Sequence, residues 1–319
     1  MKSLGRSCIS KGRWLALCVM AIGCHAPRPA RVAHGSPGAP CGSLQTEPCE
    51  EGTAEAGYSA PGKHLPGVLS TCEKYATLKH GRYEFMNNVF GAERAQGFEQ
   101  CLLRRERSGK TELGWTWAWP ASDAHGFAFP EVVFGWKPWS PKSTYAKLPV
   151  RLEDIESLRL RYAVETEKTG RASLAVGMWM TNSNQANPTT IVTETVIWLD
   201  SPEDAKPPGE RVAALQVEGA DYELWHDPNH GDRGNGQGWD TYYFKRRSRH
   251  DGSPRRGTCK LHAFLQTLSK REAIRDDWFL ASVEFGEEAL SGRGTTWVRD
   301  FEVSLDKRDL AGKRVKRDP

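Results

Sequence analysis

From about Gly67 to Asp306 apolar residues recur at every second position, the period of a half-buried strand whose successive side chains point to opposite faces. Leu158, Leu160, Tyr162 and Val164 alternate in this way, as do Trp115, Trp117 and Trp119, and Trp297, Phe301 and Val303 around Arg299. Gly, Asn and Pro turns separate these runs. One segment has another period: Leu261, Phe264, Leu265 and Leu268 fall at i, i+3, i+4 and i+7, the inner face of a short helix. Many short strands with a single helix predict an all-β antiparallel sandwich, a concanavalin-like jelly roll with two stacked sheets and one surface curved into a concave cleft. A βαβ architecture is excluded. No internal repeat is evident, so residues 67–306 are read as one large all-β domain.

The N-terminal stretch follows different rules. Lys2, Arg6, Lys11 and Arg13 precede the apolar run Trp14 to Ile22 and small residues, the form of a secretory signal peptide over residues 1–23. That run is far shorter than the roughly 20 residues needed to span a bilayer. It closes on Ala21-Ile22-Gly23-Cys24, which resembles the lipobox of bacterial lipoproteins, where cleavage before the Cys exposes it for lipidation. The expected destination is outside a bacterial cell, either free or as a cell-surface lipoprotein anchored through Cys24. His25 to Pro66 carries seven Pro and six Gly without apolar periodicity, so residues 24–66 read as a disordered linker. Residues 307–319 form a basic tail.

An oxidising compartment makes the cysteines informative. Cys41 and Cys49 would close a small loop within the linker. Cys72 and Cys101 bracket a stretch of strand and turn signals and are expected to pair. Cys259, left over beside the helix, reads as a buried inert thiol.

The formal net charge of +4 comes from the four basic residues of the signal; without them the chain is neutral. Nucleic acid binding, which draws on excess basic side chains, is therefore not expected. The six basic residues of Lys245 to Arg256 read as a solvated loop. A neutral polysaccharide remains a suitable partner, and the protein is expected to be a monomer.

Two acidic segments carry candidate chemistry. In Thr193 to Leu199, Glu194, Val196 and Trp198 share one face, and the opposite face is apolar apart from its threonines. An ionised group on such a strand needs either a partner or an open cleft. In Ser282 to Gly292, Glu284, Gly286 and Glu288 lie on one side and Val283, Phe285 and Glu287 on the other. Gly286, lacking a side chain beside Glu288, is read as room for a bulky ligand. On parity alone a salt-bridged Glu194 and an edge-strand Glu288 stand beside catalytic roles. Paired carboxylates suit glycoside hydrolysis, in which one attacks the anomeric carbon and the other protonates the leaving oxygen.

Several segments in order resemble glycoside hydrolase family 12, the jelly-roll endo-β-1,4-glucanases and xyloglucanases, in its bacterial branch. They are Cys72 through Tyr83-Glu84-Phe85-Met86-Asn87-Asn88-Val89-Phe90-Gly91 to Cys101, Gly114-Trp115-Thr116-Trp117, and Phe129-Pro130-Glu131 through Gly135-Trp136-Lys137-Pro138-Trp139. Tyr222-Glu223-Leu224-Trp225 and Gly238-Trp239-Asp240 also fit. The resemblance spans residues 70–306. It implies that Glu194, in Glu194-Thr195-Val196-Ile197-Trp198, is the nucleophile and that Glu288, in Gly286-Glu287-Glu288, is the acid/base. A retaining, endo-acting double displacement on cellulose, mixed-linkage glucan or xyloglucan follows from it.

Two departures from the family pattern matter. Members usually carry an acid that hydrogen-bonds the nucleophile from the strand resembling Val176-Gly177-Met178-Trp179-Met180, and this chain has Gly177 there. Since free Glu titrates near 4.3, ionisation of Glu194 at neutral pH is still expected. Phe90 replaces a Trp and shrinks a sugar-stacking platform. The Glu288 pKa is expected to be raised by the charge of Glu194 and by partial burial. Asn88, Phe90, Trp179 and Trp198 are the candidate cleft lining, with Trp239 at the rim. Trp117 is included as well, although core packing is an equal reading for its strand. No cofactor and no metal is expected; His226 and His230 lack further ligands in sequence. The competing class is a weak or inactive carbohydrate-binding module, which the missing acid at Gly177 keeps in view.

Overall fold

A computed structural model describes residues 60–95, 97–120, 126, 128–231, 238–247 and 255–308. The signal, Cys24, Cys41, Cys49, most of the linker, the middle of the basic 245–256 loop and the tail beyond 308 lie outside the described residues. Ala60 and Lys63 both bind the Glu99 carboxylate, so bonded contacts begin several residues before the first strand.

In chain order the strands are β1 (Val68–Thr71), β2 (Thr77–His80), β3 (Tyr83–Met86), β4 (Glu99–Arg107), β5 (Lys110–Trp119), β6 (Glu131–Gly135) and β7 (Val150–Arg151). Next come β8 (Ile155–Lys168), β9 (Arg171–Thr181), β10 (Ile191–Asp200), β11 (Glu210–Val217), β12 (Ala220–His230) and β13 (Trp239–Arg246). β14 (Arg256–Cys259), the helix α1 (Leu261–Ser269) and β15 (Phe279–Lys307) complete the described chain. One sheet runs β1-β4-β5-β15-β8-β14. The other runs β2-β3-β6-β15-β9-β10-β13-β12-β11 and is antiparallel except for the β10–β13 pair. This is the expected jelly-roll sandwich.

β15 belongs to both sheets. Its first part, to Ser291, pairs with β6 and β9; from Gly292 onward it pairs with β5 and β8. The crossing point is Gly292, where φ is +85° and a Cβ would stand 2.6 Å from the Gly170 Cα. Only glycine fits there. Strands that change sheet at such a bend form the corners of a sandwich.

The apolar faces of both sheets meet in one core holding Trp115, Trp117, Trp119, Val176, Met178, Ile197, Val283 and Phe285. All four apolar positions of the α1 stripe, Leu261, Phe264, Leu265 and Leu268, are buried against it. Trp117 therefore corrects the reading that placed it in the cleft: it is fully buried between the sheets. Alternation puts Trp115, Trp117 and Trp119 on one face of their strand, but it does not say whether that face meets the other sheet or the cleft. The Trp115 and Trp117 indole N–H groups and the Thr296 hydroxyl all donate to Glu287 Oε2, so Glu287 is a satisfied core carboxylate. Cys72 and Cys101 are joined as a disulfide, and Cys259 is buried with burial pushing its thiol up to about 12.

Candidate active site

The register of the sheet that runs from β2 to β11 decides which side chains share its outer face, because directly paired residues point the same way. Glu194 in β10 pairs with Trp179 in β9, and Trp179 with Ser282 in β15. The next row is Val196, Gly177 and Glu284; the one after is Trp198, Ala175 and Gly286, continued by Glu131 in β6. Glu288 pairs with Ser173 further along. Glu194, Glu284 and Glu288 thus lie on one face, with Glu287 on the other.

Burial separates these acids by function. Glu194 and Glu288 are half-buried and open to the cleft. Glu131 and Glu284 are buried. Among the described residues, the ion pairs of this face lie at the buried acids: Lys137 Nζ is 2.6 Å from Glu284 Oε2 and 3.1 Å from Glu131 Oε1. The salt-bridge reading considered for Glu194 fits Glu284 instead.

Glu288 is held from two directions. Trp198 Nε1 donates to its Oε2 at 3.1 Å, and the Gly126 backbone N–H also favours its charged form. Gly126 packs so closely that a Cβ there would stand 2.4 Å from Glu288 Cγ. Arg94, which donates to the Gly126 carbonyl at 2.8 Å, ties that segment down. Glu194 is flanked by Trp179 and by Trp239, whose indole N–H favours its charge. Tyr243, paired with Val196, packs edge-on against Trp198; its phenol is pushed well up by burial and by the charges of both Glu194 and Glu288.

Burial is the main cause of the shifts at the two cleft carboxyls. It pushes Glu194 up to about 8, aided by the charge of Glu284 and opposed by Lys137. It pushes Glu288 up to about 7, opposed by Gly126, Trp198 and Arg94. Two expectations are corrected here: Glu194 does not titrate in the ordinary glutamate range, and desolvation rather than the charge of Glu194 raises Glu288. Alternation reveals that a residue faces the cleft but carries no measure of how little water reaches it.

The expected lining divides into three groups. Trp179 and Trp239 stand edge to face with centroids 5.3 Å apart, and Trp139 joins them at 5.0 and 5.9 Å. The Trp179 indole N–H is buried without a hydrogen-bond partner, leaving a donor for a bound hydroxyl. Trp198 is buried with its indole N–H committed to Glu288, and the Asn88 amide nitrogen donates to Glu131 at 2.9 Å. Phe90 is 41% exposed and lies under Arg94. Gly286 corrects another expectation: a Cβ there would meet the Pro130 carbonyl oxygen at 2.3 Å, so its missing side chain admits β6 rather than a ligand.

Sequence reasoning missed Trp139, which is 51% exposed, and the buried trio Glu131, Lys137 and Glu284. Trp139 and Lys137 were within view in the Gly135-Trp136-Lys137-Pro138-Trp139 run, and that motif was their only signal. His226 and His230 pair separately with Asp240 and Asp227, at 3.1 and 2.6 Å.

The described chain was compared with known proteins. The profile described as Glycosyl hydrolase family 12 matches residues 81–306. Endoglucanase S of Pectobacterium parmentieri is 24% identical over 228 residues, covering 71% of this chain and 83% of that protein. The probable xyloglucan-specific endo-beta-1,4-glucanase A of Aspergillus fumigatus is 22% identical over 242 residues, covering 73% and 90%. Among solved structures, the native family 12 xyloglucanase from Bacillus licheniformis superposes with a TM-score of 0.65 at 24% identity, covering 74% of this chain and all of that one.

Proposed function

Since the chain belongs to glycosyl hydrolase family 12, we propose that it is a retaining, endo-acting hydrolase of β-1,4-glucan linkages, with Glu194 as nucleophile and Glu288 as acid/base. The observation that carries this reading is the pair of half-buried carboxyls on one face of the sheet, beside a cluster of three tryptophans in which the Trp179 indole N–H has no partner. Sugar rings offer flat C–H faces and hydroxyls, which such a cluster accommodates. The carboxylate of Glu194 attacks the anomeric carbon as Glu288 gives its proton to the departing oxygen. Glu288 then takes a proton from water, and the hydroxide displaces Glu194.

The chemistry requires one proton between the two carboxyls. Burial lifts both carboxyls, Glu194 to about 8 and Glu288 to about 7, so a proton is available to the pair well above the ordinary glutamate range. Lys137, whose charge favours ionised Glu194, acts toward the arrangement that the chemistry needs.

The signal and the Ala21-Ile22-Gly23-Cys24 run support export, with lipidation at Cys24. No helix among the described residues is long and apolar enough to cross a membrane. Labelled palmitate incorporated by the full chain and lost in Cys24→Ala supports the anchor; equal labelling refutes it. The soluble part is proposed to be monomeric.

Reducing ends released from barley glucan, xyloglucan and carboxymethylcellulose test the activity and rank the substrates. Release that falls at least about 100-fold in Glu288→Gln supports the assignment. Binding of these glucans without release contradicts it.

A further inference from the structure

Three charged side chains of the cleft sheet have no part in the two displacement steps. Glu131, Lys137 and Glu284 are each buried, and Lys137 joins the two carboxyls. Removing such groups from water is unfavourable, and an apolar trio of similar volume would pack there without the penalty. Their position shows what they face. Glu284 is directly opposite Gly177 across β15 and β9, and Gly177 is opposite Val196 across β9 and β10. A Cβ built on Gly177 would lie 3.7 Å from Glu194 Oε1, 3.7 Å from Glu284 Cβ and 3.9 Å from Glu284 Oε2. The space above Gly177 is therefore bounded on one side by the nucleophile and on the other by Glu284.

The orientation of Glu284 is fixed from both ends. Lys137 Nζ donates to its Oε2 at 2.6 Å, and the Ser282 hydroxyl donates to its Oε1 at 3.1 Å. Lys137 is itself held above its ordinary range, because the two carboxylates outweigh the burial that opposes its charge. Burial and the charge of Glu284 push Glu131 well up, which favours its protonated form. The trio thus places a fixed ion pair beside Glu194.

We propose that Glu284, clamped by Lys137 and Ser282, is the positioning residue of Glu194, occupying from β15 the place that an acid at position 177 would take from β9. This inference rests on the assignment of Glu194 as nucleophile. Gly177 and Glu284 then form one unit: with Glu284 present, a side chain at 177 would wedge between two carboxyls, whereas without Glu284 the same space admits an aspartate. The Gly177 Cβ contacts are ordinary van der Waals distances, so the backbone tolerates that exchange.

The test is kinetic and uses the full chain on the glucan it cleaves best. Glu284→Gln is expected to lower kcat at least 10-fold with KM changed less than threefold, because the sugar-binding aromatics are untouched. Charged and titratable groups facing Glu194 are Glu284, Glu288, Lys137 and Tyr243; those facing Glu284 are Glu131, Lys137 and Glu194. Removing the Glu284 charge relieves repulsion at Glu194, so the profile of kcat against pH is expected to move to lower pH, its alkaline limb first. A merely structural role would not move that profile.

Gly177→Asp alone is expected to lower kcat, and Gly177→Asp combined with Glu284→Ala to recover at least 10-fold of what Glu284→Ala loses. Should Glu284→Gln fail to fold, Lys137→Met with Glu284→Ala removes both charges, and the same rescue is scored on that background. An active wild type with Glu284→Gln within twofold in kcat and an unmoved pH profile overturns the proposal and leaves the hydrolase reading intact. Failure of Gly177→Asp to restore activity also overturns it. A wild type that releases no reducing ends from any of the glucans overturns both.

Discussion

Substituting Gly126 by Ala isolates the placement of the acid/base. The added methyl would stand 2.4 Å from Glu288 Cγ and 2.9 Å from its Oε1, so one of the two must move by about 1 Å to reach ordinary contact. Glu288 is the softer partner, since its end is flexible, whereas Gly126 is tied through its carbonyl to Arg94. Displacing the carboxyl stretches the 3.1 Å bond from Trp198 and moves the proton away from the leaving oxygen. A misplacement near 1 Å costs about 100-fold in rate, roughly 2.7 kcal/mol, while the overpacking itself costs about 1–3 kcal/mol of folding stability. The assay compares natural glucan with a dinitrophenyl cellooligosaccharide, whose leaving group departs without a proton. Gly126→Ala is expected to lose about 100-fold in glycosyl-enzyme formation on the glucan and less than about fivefold on the activated substrate. Equal losses on both, with folding intact, would refute the reasoning, because the damage would then not pass through proton donation.

Two other outcomes follow from the same carboxyl pair. Because the pair works only while holding one proton, kcat/KM should be bell-shaped, falling below about 7 as Glu194 stays protonated and above about 8 as Glu288 has none to give; a plateau extending to pH 5 would contradict this. Glu194→Gln should raise thermal stability at pH 8 but not at pH 4.5. The unfolded chain releases the Glu194 proton near 4.5 and the folded chain only near 8, so wild-type stability declines between those values as pH rises, by a few kcal/mol in order of magnitude. Calorimetry that shows the same melting difference at both pH values would contradict it.

How far the sequence reached depended on whether a feature was local. Alternation placed Glu288 and Glu287 on opposite faces, and the helical spacing from Leu261 to Leu268 named the four buried positions, because period alone determines both. The roles proposed for Glu194 and Glu288 rest on motifs, because spacing by itself left them ambiguous. Trp117 was misplaced because alternation groups it with Trp115 and Trp119 on one face without saying whether that face meets the second sheet or the cleft. The Lys137–Glu284 pair joins positions 147 residues apart, so no window along the chain could show it. Gly286 illustrates the same limit: the absent side chain was visible, but its neighbour Pro130 arrives from another strand.

Covalent capture tests the account at its centre. Incubation with a 2-fluoro cellooligosaccharide bearing a good leaving group should halt turnover with one sugar bound per chain, and peptide mass spectrometry should find it on Glu194 in β10. Attachment to Glu284, Glu288 or any other side chain would contradict the assignment on which the mechanism is built.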